Sequence, residues 1–230
     1  MKTIGLLGGM SWESSAEYYR AINQAVKQTL GGLHSAKLVL YSVDFAEIEH
    51  FQQSGDWQSA GALLQKAAQS LQAAGADCVV LCTNTMHKVA EPVSEGLSIP
   101  LLHIADATAI QLVKAGIKTV GLLGTNFTME QAFYKERLVE HYGLKVLIPN
   151  EADRQIIHQV IYQELCLGEV KAASKAEYLR IIQTLAEQGV EAVILGCTEI
   201  GLLVQQADTA VKLFDTTAIH AQAAVDFALS

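Results

Sequence analysis

The chain contains an internal duplication, which limits the folds that it can adopt. The segment Gly75–Thr85 reads Gly-Ala-Asp-Cys-Val-Val-Leu-Cys-Thr-Asn-Thr, and it aligns without a gap with Gly189–Glu199, which reads Gly-Val-Glu-Ala-Val-Ile-Leu-Gly-Cys-Thr-Glu. The opening segment Lys2–Gly8 matches Lys118–Gly124 in the same way. The first pair is offset by 114 residues, from position 75 to position 189. This period is too long for a solenoid unit, so the sequence predicts two similar lobes.

Eight apolar runs have the length and composition of β-strands, and longer amphipathic segments separate them. Continuous apolar strands that alternate with helices indicate a parallel sheet covered on both faces. The predicted strands are Thr3–Leu7, Lys37–Ser42, Cys78–Cys82, Leu101–Ile104, Thr119–Leu123, Leu144–Ile148, Ala192–Leu195 and Lys212–Phe214. The predicted helices include Ser14–Thr29, Trp57–Ala74, Met129–His141, Asp153–Cys166 and Lys175–Gln188.

The predicted fold is α/β, with two pseudo-symmetric lobes that each contain a parallel sheet flanked by helices, and with the active site in the cleft between the lobes. A third pair of similar segments, Asp106–Ile110 and Asp215–Ile219, implies that the chain crosses to the other lobe at the end of each half. We therefore assign residues 1–99 and 212–230 to the first lobe and residues 100–211 to the second lobe.

The composition argues against several classes of function. Of the 230 residues, 50% are hydrophobic and 17% are charged, which is typical of a compact globular protein. The net charge of −8 gives no electrostatic reason to bind nucleic acid or an anionic membrane. No apolar run approaches the roughly 18–20 residues of a membrane span, and the N-terminus lacks a signal-peptide pattern, so we expect a cytoplasmic protein. The four scattered cysteines predict thiols and no metal site.

Four turns rich in glycine, hydroxyl or amide groups follow predicted strands, and each of them precedes a helix. These turns are Gly8–Ser11, Thr83–Thr85, Gly124–Asn126 and Cys197–Glu199. In open parallel sheets, ligands bind beyond the carboxyl ends of the strands, and helix N-termini bind anions such as carboxylates. The sequence therefore predicts a small polar pocket that holds a carboxylate. His87 follows the second turn closely, and it either borders this pocket, lies on a helix surface or makes a structural hydrogen bond.

The internal alignment pairs two of these turns residue by residue. It places Thr83 opposite Cys197, and Cys82 opposite Gly196. Two related positions that each present a small nucleophilic or protic side chain indicate a reaction with proton transfer on two sides of a substrate. Gly8–Gly9 has a plainer interpretation as a tight strand-to-helix turn, since it lacks the GxGxxG spacing of a dinucleotide site.

These motifs resemble those of the cofactor-independent aspartate/glutamate racemase family, nearly from end to end. The resemblance rests on Ile-Gly-Leu-Leu-Gly-Gly-Met-Ser at positions 4–11, Cys-Thr-Asn-Thr-Met-His at positions 82–87 and Gly-Cys-Thr-Glu at positions 196–199. The resemblance implies an isomerase that interconverts L- and D-amino acids without pyridoxal phosphate or metal, often as a homodimer. In such an enzyme, two thiols on opposite faces of the substrate exchange protons with its α-carbon.

The first motif departs from the family pattern, which is usually Cys-Asn-Thr. The residue before Asn84 is Thr83, and the cysteine lies one position earlier, at Cys82. Because side chains alternate along a strand, this shift turns Cys82 away from the pocket and gives the catalytic position to Thr83. The alternative is a β-bulge that turns Cys82 inward. Cys197 keeps the expected position in its own motif.

The two predicted catalytic residues, Cys197 and Thr83, have different roles. A helix N-terminus lowers the pKa of a thiol, so we expect Cys197 to act as a thiolate. The resemblance implies that the cysteine of this second motif deprotonates the L-enantiomer. The hydroxyl of Thr83 has no useful anion at neutral pH, so we expect it to protonate the other face. The side chains that we expect to bind the substrate are Met10, Gln52, Asn84, Thr85, Thr198 and Glu199.

The identity of the substrate is open at this point. The resemblance implies aspartate or glutamate, but Asp44–Trp57 carries no Arg or Lys, and Cys166 stands where a basic residue is expected. Homoserine, glutamine or another polar amino acid therefore fits as well. The alternatives are another enzyme of the superfamily, such as a hydantoin racemase, maleate isomerase or malonate decarboxylase, and a degenerate racemase that only binds an acidic metabolite.

Overall fold

The computed structural model describes all 230 residues and contains two four-stranded parallel sheets. The strands are β1 (Ile4–Gly8), β2 (Leu38–Ser42), β3 (Cys78–Leu81), β4 (Leu101–Leu102), β5 (Thr119–Gly124), β6 (Lys145–Leu147), β7 (Ala192–Gly196) and β8 (Lys212–Asp215). The first sheet has the order β2-β1-β3-β4, and the second has the equivalent order β6-β5-β7-β8. The predicted α/β class, with a helix-flanked parallel sheet in each half, is confirmed.

Eleven α-helices accompany the strands. They are α1 (Trp12–Leu30), α2 (Phe45–Ser54), α3 (Trp57–Ala73), α4 (Ala90–Ser94), α5 (Ile104–Lys114), α6 (Asn126–Glu130), α7 (Ala132–Tyr142), α8 (Glu151–Gln163), α9 (Ala172–Glu187), α10 (Ile200–Leu203) and α11 (Thr216–Leu229). None of them combines the length and apolar composition that a bilayer crossing requires. The predicted helix over residues 129–141 is divided in two, because Gln131 has an extended backbone with φ −83° and ψ 153°.

The chain divides into two compact units. The first unit comprises Met1–Ile104 and His220–Ser230, and the second comprises Ala105–Ile219. This division differs from the predicted boundaries at residues 100 and 212, because the last strand of each half stays with its own sheet. β4 pairs with β3, and β8 pairs with β7, so the chain changes units only after these strands.

The strand registers of the two sheets match the sequence duplication. In the first sheet Leu7 pairs with Leu81, and in the second sheet Leu123 pairs with Leu195. Thr83 and Cys197 each lie two residues beyond the second member of these pairs. Thr83 therefore lies just beyond the carboxyl end of β3, which pairs with β1. Cys197 lies at the equivalent position beyond β7, which pairs with β5.

The two faces of β3 are buried against different helices of the first unit. Val79 and Leu81 belong to an apolar cluster that includes residues of α2 and α3. Cys78, Val80 and Cys82 belong to a second cluster, which includes residues of α1 and α11. The period of two in a strand explains this division. The side chain of Cys82 is therefore part of the core, and no bulge turns it out of the core.

Candidate active site

The turn after β1 is held by a close backbone approach and by serine hydroxyls. Gly9 has a φ of +92°, and a Cβ atom at this position would lie 2.2 Å from the carbonyl oxygen of Val43. The N–H of Gly9 donates to Oγ of Ser15 at 2.7 Å, and this hydroxyl donates to the carbonyl of Ser11 at 3.0 Å. The side chain of Ser11 accepts from the N–H of Ser14 and caps α1. The two glycines thus form the tight strand-to-helix turn that the sequence allowed.

The turn after β3 fixes the backbone of Thr83 on both sides. The N–H of Cys82 donates to the carbonyl of Leu7 at 2.9 Å, which extends the strand pairing by one residue. The N–H of Thr83 then donates back to the carbonyl of Leu81 at 2.8 Å. The carbonyl of Thr83 accepts from Nδ1 of His87 at 2.7 Å. His87 therefore makes the structural hydrogen bond that was one of its three possible roles.

The other predicted substrate-binding residues of the first unit lie near the same turn in the sequence or in an adjoining cluster. Asn84 and Thr85 are buried directly after Thr83, and Thr85 begins a short 3-10 helix. Gln52, on α2, is also buried, and its Nε2 donates to Sδ of Met86 at 3.0 Å. Met10 belongs to the same apolar cluster as Met86. The amide of Gln52 thus reaches the residue that follows Thr85.

The turn after β7 joins a thiol, a hydroxyl and a carboxylate. Sγ of Cys197 donates to Oε2 of Glu199 at 3.0 Å, and the hydroxyl of Thr198 donates to the same oxygen at 2.6 Å. All three residues are buried, with Cys197 only 8% exposed. One carboxylate oxygen therefore accepts two hydrogen bonds, and one of them comes from the predicted catalytic thiol.

The pKa of Cys197 shifts in the direction opposite to the one predicted. Burial raises this pKa well above its usual range, and the negative charge of Glu199 raises it further. The expected lowering by a helix N-terminus is wrong because burial of the thiol outweighs it, and two features of the turn explain why the helix does not offset the burial. Helix α10 has only four residues, and the carboxylate of Glu199 lies within hydrogen-bond distance of Sγ. The resting form of Cys197 is therefore a thiol that donates to Glu199.

The turn after β5 lies at the same edge of the second sheet as Cys197, and the sequence analysis named none of its side chains as a site residue. Thr125 caps α6 by accepting from the N–H of Thr128. The N–H of Asn126 donates to Nδ1 of His158 at 3.2 Å. Oδ1 of Asn126 is buried and has no hydrogen-bond partner within the chain. This amide oxygen is therefore an acceptor that a substrate N–H group could use.

All four cysteines are free, as the sequence predicted. The chain has no cluster of three or more His, Cys, Asp or Glu side chains that could hold a metal ion. The four turns carry one thiol, several hydroxyls, two amides and a carboxylate.

A family model described as Asp/Glu/Hydantoin racemase matches residues 7–224. The chain belongs to this racemase family. The match covers seven of the eight strands, the end of β1 and all four turns described above, which supports the resemblance that the motifs indicated.

Solved structures and a curated relative agree with this family membership. A crystal structure from Yersinia pestis, described as a proposed Asp/Glu racemase, is 57% identical over the whole of both chains, with a TM-score of 0.93. The crystal structure of an aspartate racemase homologue from Pyrococcus horikoshii OT3 is 34% identical over the whole of both chains, with a TM-score of 0.87. The broad specificity amino-acid racemase RacX of Bacillus subtilis (strain 168) is 27% identical over 165 residues, which are 69% of this chain and 67% of RacX.

Proposed function

We propose that this family member racemises an amino acid without a cofactor, and that Cys197 and Thr83 transfer the protons at opposite faces of the α-carbon. The observation that carries the proposal is that Thr83 and Cys197 occupy equivalent positions in the two sheets. Thr83 lies two residues after Leu81, and Cys197 lies two residues after the matching Leu195. Both side chains are buried, small and protic. Equivalent protic groups in a duplicated fold suit a reaction whose two directions are mirror images.

The thiol side of the reaction begins with Glu199. The hydrogen bond from Cys197 to Glu199 provides a path along which the thiol proton moves to the carboxylate, and a thiolate remains. This thiolate removes the α-proton of an L-amino acid, so the Cα–H bond breaks and an S–H bond forms. We therefore assign Glu199 to the activation of Cys197, in place of the substrate contact that the sequence suggested.

The hydroxyl side completes the inversion. Thr83 donates its hydroxyl proton to the opposite face of the carbanion, and a water molecule reprotonates the resulting alkoxide. The hydroxide that this leaves takes the proton held by Glu199, so the site returns to a Cys197 thiol beside a carboxylate. The negative charge that develops on the substrate carboxylate needs fixed donors, which are worth several kcal/mol in a buried site. The backbone N–H groups of the turns and the side chains of Asn84, Thr85 and Thr198 are our candidates. Met10 and Gln52 remain candidates for contact with the substrate side chain.

The two directions of the reaction should differ in rate. Because the alkoxide of Thr83 is high in free energy at neutral pH, Thr83 donates a proton more readily than it removes one. The kcat for the L-enantiomer should therefore exceed the kcat for the D-enantiomer. The free enantiomers have equal energy in water, so the KM values must differ by the same ratio and the two kcat/KM values must be equal.

The substrate class that we propose is a polar L-amino acid, with aspartate and glutamate as the first candidates. The lack of Arg and Lys in Asp44–Trp57 weakens a strict preference for an acidic side chain, and a relative named for broad specificity supports a wider range. The homodimer and the cytoplasmic location stay predictions. Analytical ultracentrifugation of the purified chain tests the first, and fractionation of cells tests the second.

The decisive experiment is α-proton exchange in deuterated water, followed by NMR, with L-aspartate, L-glutamate, L-glutamine, L-homoserine and a 5-substituted hydantoin. We expect loss of the α-proton signal and formation of the D-enantiomer with at least one amino acid. Cys197→Ala should abolish both, and Thr83→Ala should block inversion of the L-enantiomer.

Three outcomes would contradict the proposal. Exchange with the hydantoin alone would make the chain a hydantoin racemase. Thermal stabilisation by an acidic metabolite without any deuterium uptake would make it a degenerate binder. Equal kcat values in both directions together with full activity of Thr83→Ala would remove Thr83 from the mechanism.

A further inference from the structure

His87 connects the ends of two neighbouring strands in the first sheet. Its Nδ1 is hydrogen-bonded to the carbonyl of Thr83 at 2.7 Å, just beyond β3. Its Nε2 is 3.2 Å from the backbone nitrogen of Ile104, just beyond β4. The imidazole is 3% exposed, so neither bond competes freely with water.

The partners of the ring determine which nitrogen carries the proton. A carbonyl oxygen only accepts hydrogen bonds, so the Nδ1 that faces Thr83 must be protonated. A backbone N–H only donates, so the Nε2 that faces Ile104 must carry a lone pair. His87 is therefore a neutral imidazole with its proton on Nδ1, and both nitrogens are already used for structure.

The link replaces strand pairing that β4 is too short to provide. β3 and β4 share only two register pairs, of which the last is Val80 with Leu102. Thr83 and Ile104 lie beyond this pair, outside the register that joins the two strands. The imidazole joins them through its two nitrogens, and it thereby fixes the distance from the Thr83 carbonyl to the start of α5.

We propose that His87 is a positioning residue for Thr83, and that it holds the turn so that the threonine hydroxyl keeps its place in proton transfer. This inference deepens the proposed function and rests on it. The backbone of Thr83 has its N–H bound to Leu81 and its carbonyl bound to His87. Loss of the second bond frees the peptide plane after Thr83, and the direction of the hydroxyl changes with it.

A second buried histidine offers a matched control. His220 is fully buried, its Nε2 donates to the carbonyl of Leu102 at 2.7 Å, and its Nδ1 accepts from the hydroxyl of Tyr18 at 2.8 Å. It lies in the same unit as His87, and their rings are 5.8 Å apart. His220 makes no hydrogen bond to Thr83, so a change there affects the core without the proposed link.

Two substitutions separate the two bonds of His87. In His87→Asn, the side-chain amide nitrogen takes the place of Nδ1, so the donor to Thr83 is kept and the acceptor for Ile104 is lost. In His87→Gln, an amide oxygen takes the place of Nε2, so the acceptor is kept and the donor to Thr83 is lost. The control is His220→Gln, whose amide nitrogen replaces the donor to Leu102.

The measured quantity is a ratio that a purely structural change does not alter. In deuterated water, with the L-amino acid that the wild type exchanges, Cys197 alone can return deuterium to the L-enantiomer, whereas the D-enantiomer also requires Thr83. We expect His87→Gln to lower the ratio of D-product to deuterated L-substrate about tenfold, which is what loss of one buried hydrogen bond allows. His87→Asn and His220→Gln should keep this ratio within about threefold of the wild type, although both lower the melting temperature.

Other results would overturn the inference. If His87→Gln and His220→Gln leave the ratio equally unchanged, or if both His87 variants reduce it equally, the Thr83 bond has no positioning role.

If the wild type exchanges no α-proton, the proposed function has failed, and NMR of labelled protein still tests the link. The proton must then reside on Nδ1 of His87, and the Thr83 amide signal must move in His87→Gln and stay in place in His87→Asn. A proton on Nε2 would contradict the link.

Discussion

A methyl group added at Gly9 should destabilise the first unit more than the same change at another left-handed glycine. Gly9 and Gly75 have nearly equal φ values, +92° and +89°. A Cβ at position 9 would lie 2.2 Å from the carbonyl oxygen and 2.5 Å from the backbone nitrogen of Val43, whereas a Cβ at position 75 meets no atom within 4 Å. The two variants therefore share the conformational cost and differ in the clash.

The expected magnitudes follow from these distances. The left-handed conformation costs a non-glycine residue about 1–2 kcal/mol, and both variants incur this cost. The clash at Gly9 involves backbone atoms that cannot rotate away, and forced overpacking adds about 1–3 kcal/mol. With about 2–4 °C per kcal/mol for a chain of this size, we expect Gly75→Ala to lower the melting temperature by about 2–8 °C. The drop for Gly9→Ala should be about twice as large.

The assay is thermal unfolding of both variants, with urea unfolding as a second measure and α-proton exchange as a functional measure. The turn that moves in Gly9→Ala carries Met10 and Ser11, so exchange should fall at temperatures where the variant is still folded. Equal melting temperatures for the two variants would refute the reasoning, because the contact with Val43 would then have no energetic consequence. A normal exchange rate in folded Gly9→Ala would refute the link from this turn to the substrate.

Three further predictions concern single side chains. Cys82→Ala should keep α-proton exchange and lower the melting temperature, because this thiol is fully buried in the core. Cys197→Ala should lose exchange. The reverse pattern would make Cys82 the catalytic thiol. Glu199→Gln should lower the pKa of Cys197, because a negative charge beside the thiol is removed, and the rate of iodoacetamide alkylation should rise at lower pH than in the wild type. Turnover should nevertheless fall, since the proton acceptor is lost; faster turnover would show that Glu199 only repels the thiolate. Burial lowers the pKa of His220 from 6.5 to about 4. Between pH 4 and pH 6.5 the unfolded chain therefore binds more protons than the folded chain. The free energy of unfolding should fall by up to about 3 kcal/mol as the pH drops from 6.5 to 4. Urea unfolding should show a smaller pH dependence for His220→Gln, and an unchanged slope would contradict this assignment.

The sequence predicted all eight strands, because parallel strands buried on both faces are continuous apolar runs. The errors lie at element ends and in the short helices. Ile104 was assigned to a strand but begins α5, since an apolar residue after a short strand gives no signal of where the helix starts. Helix α2 was not predicted, although its N-cap Asp44, which accepts from the N–H of Ala46, is a recognisable start signal. The break at Gln131 involves neither glycine nor proline and leaves no trace in the sequence.

The equivalent strand-end positions of Thr83 and Cys197 were predictable from the sequence, but the electrostatics around Cys197 were not. The alignment of the two halves pairs these two residues, and the matching strand registers give them equivalent positions in their own sheets. Their joint action on one substrate stays a prediction. Burial of the thiol is the largest cause of the raised pKa of Cys197, and the hydrogen bond to Glu199, which depends on two side-chain rotamers, adds to it. His87, in a short 3-10 helix, bonds to the carbonyl of Thr83 four residues earlier, and this short spacing was visible in the sequence.

In the proposed mechanism, the turns that carry Cys197 and Thr83 provide different proton-transfer groups, and this difference determines which enantiomer reacts faster. The thiol of Cys197 has a carboxylate partner that can hold its proton, so this side can both remove and return a proton. The backbone of Thr83 is held by hydrogen bonds at its N–H and at its carbonyl, and we propose that its hydroxyl acts as a proton donor. A site with one reversible acid–base pair and one positioned donor favours removal of the proton by the thiolate. In the proposed mechanism, an enantiomer whose α-proton faces Thr83 reacts only after an alkoxide has formed, so the predicted asymmetry in kcat follows from the presence of a hydroxyl and a thiol at two equivalent positions.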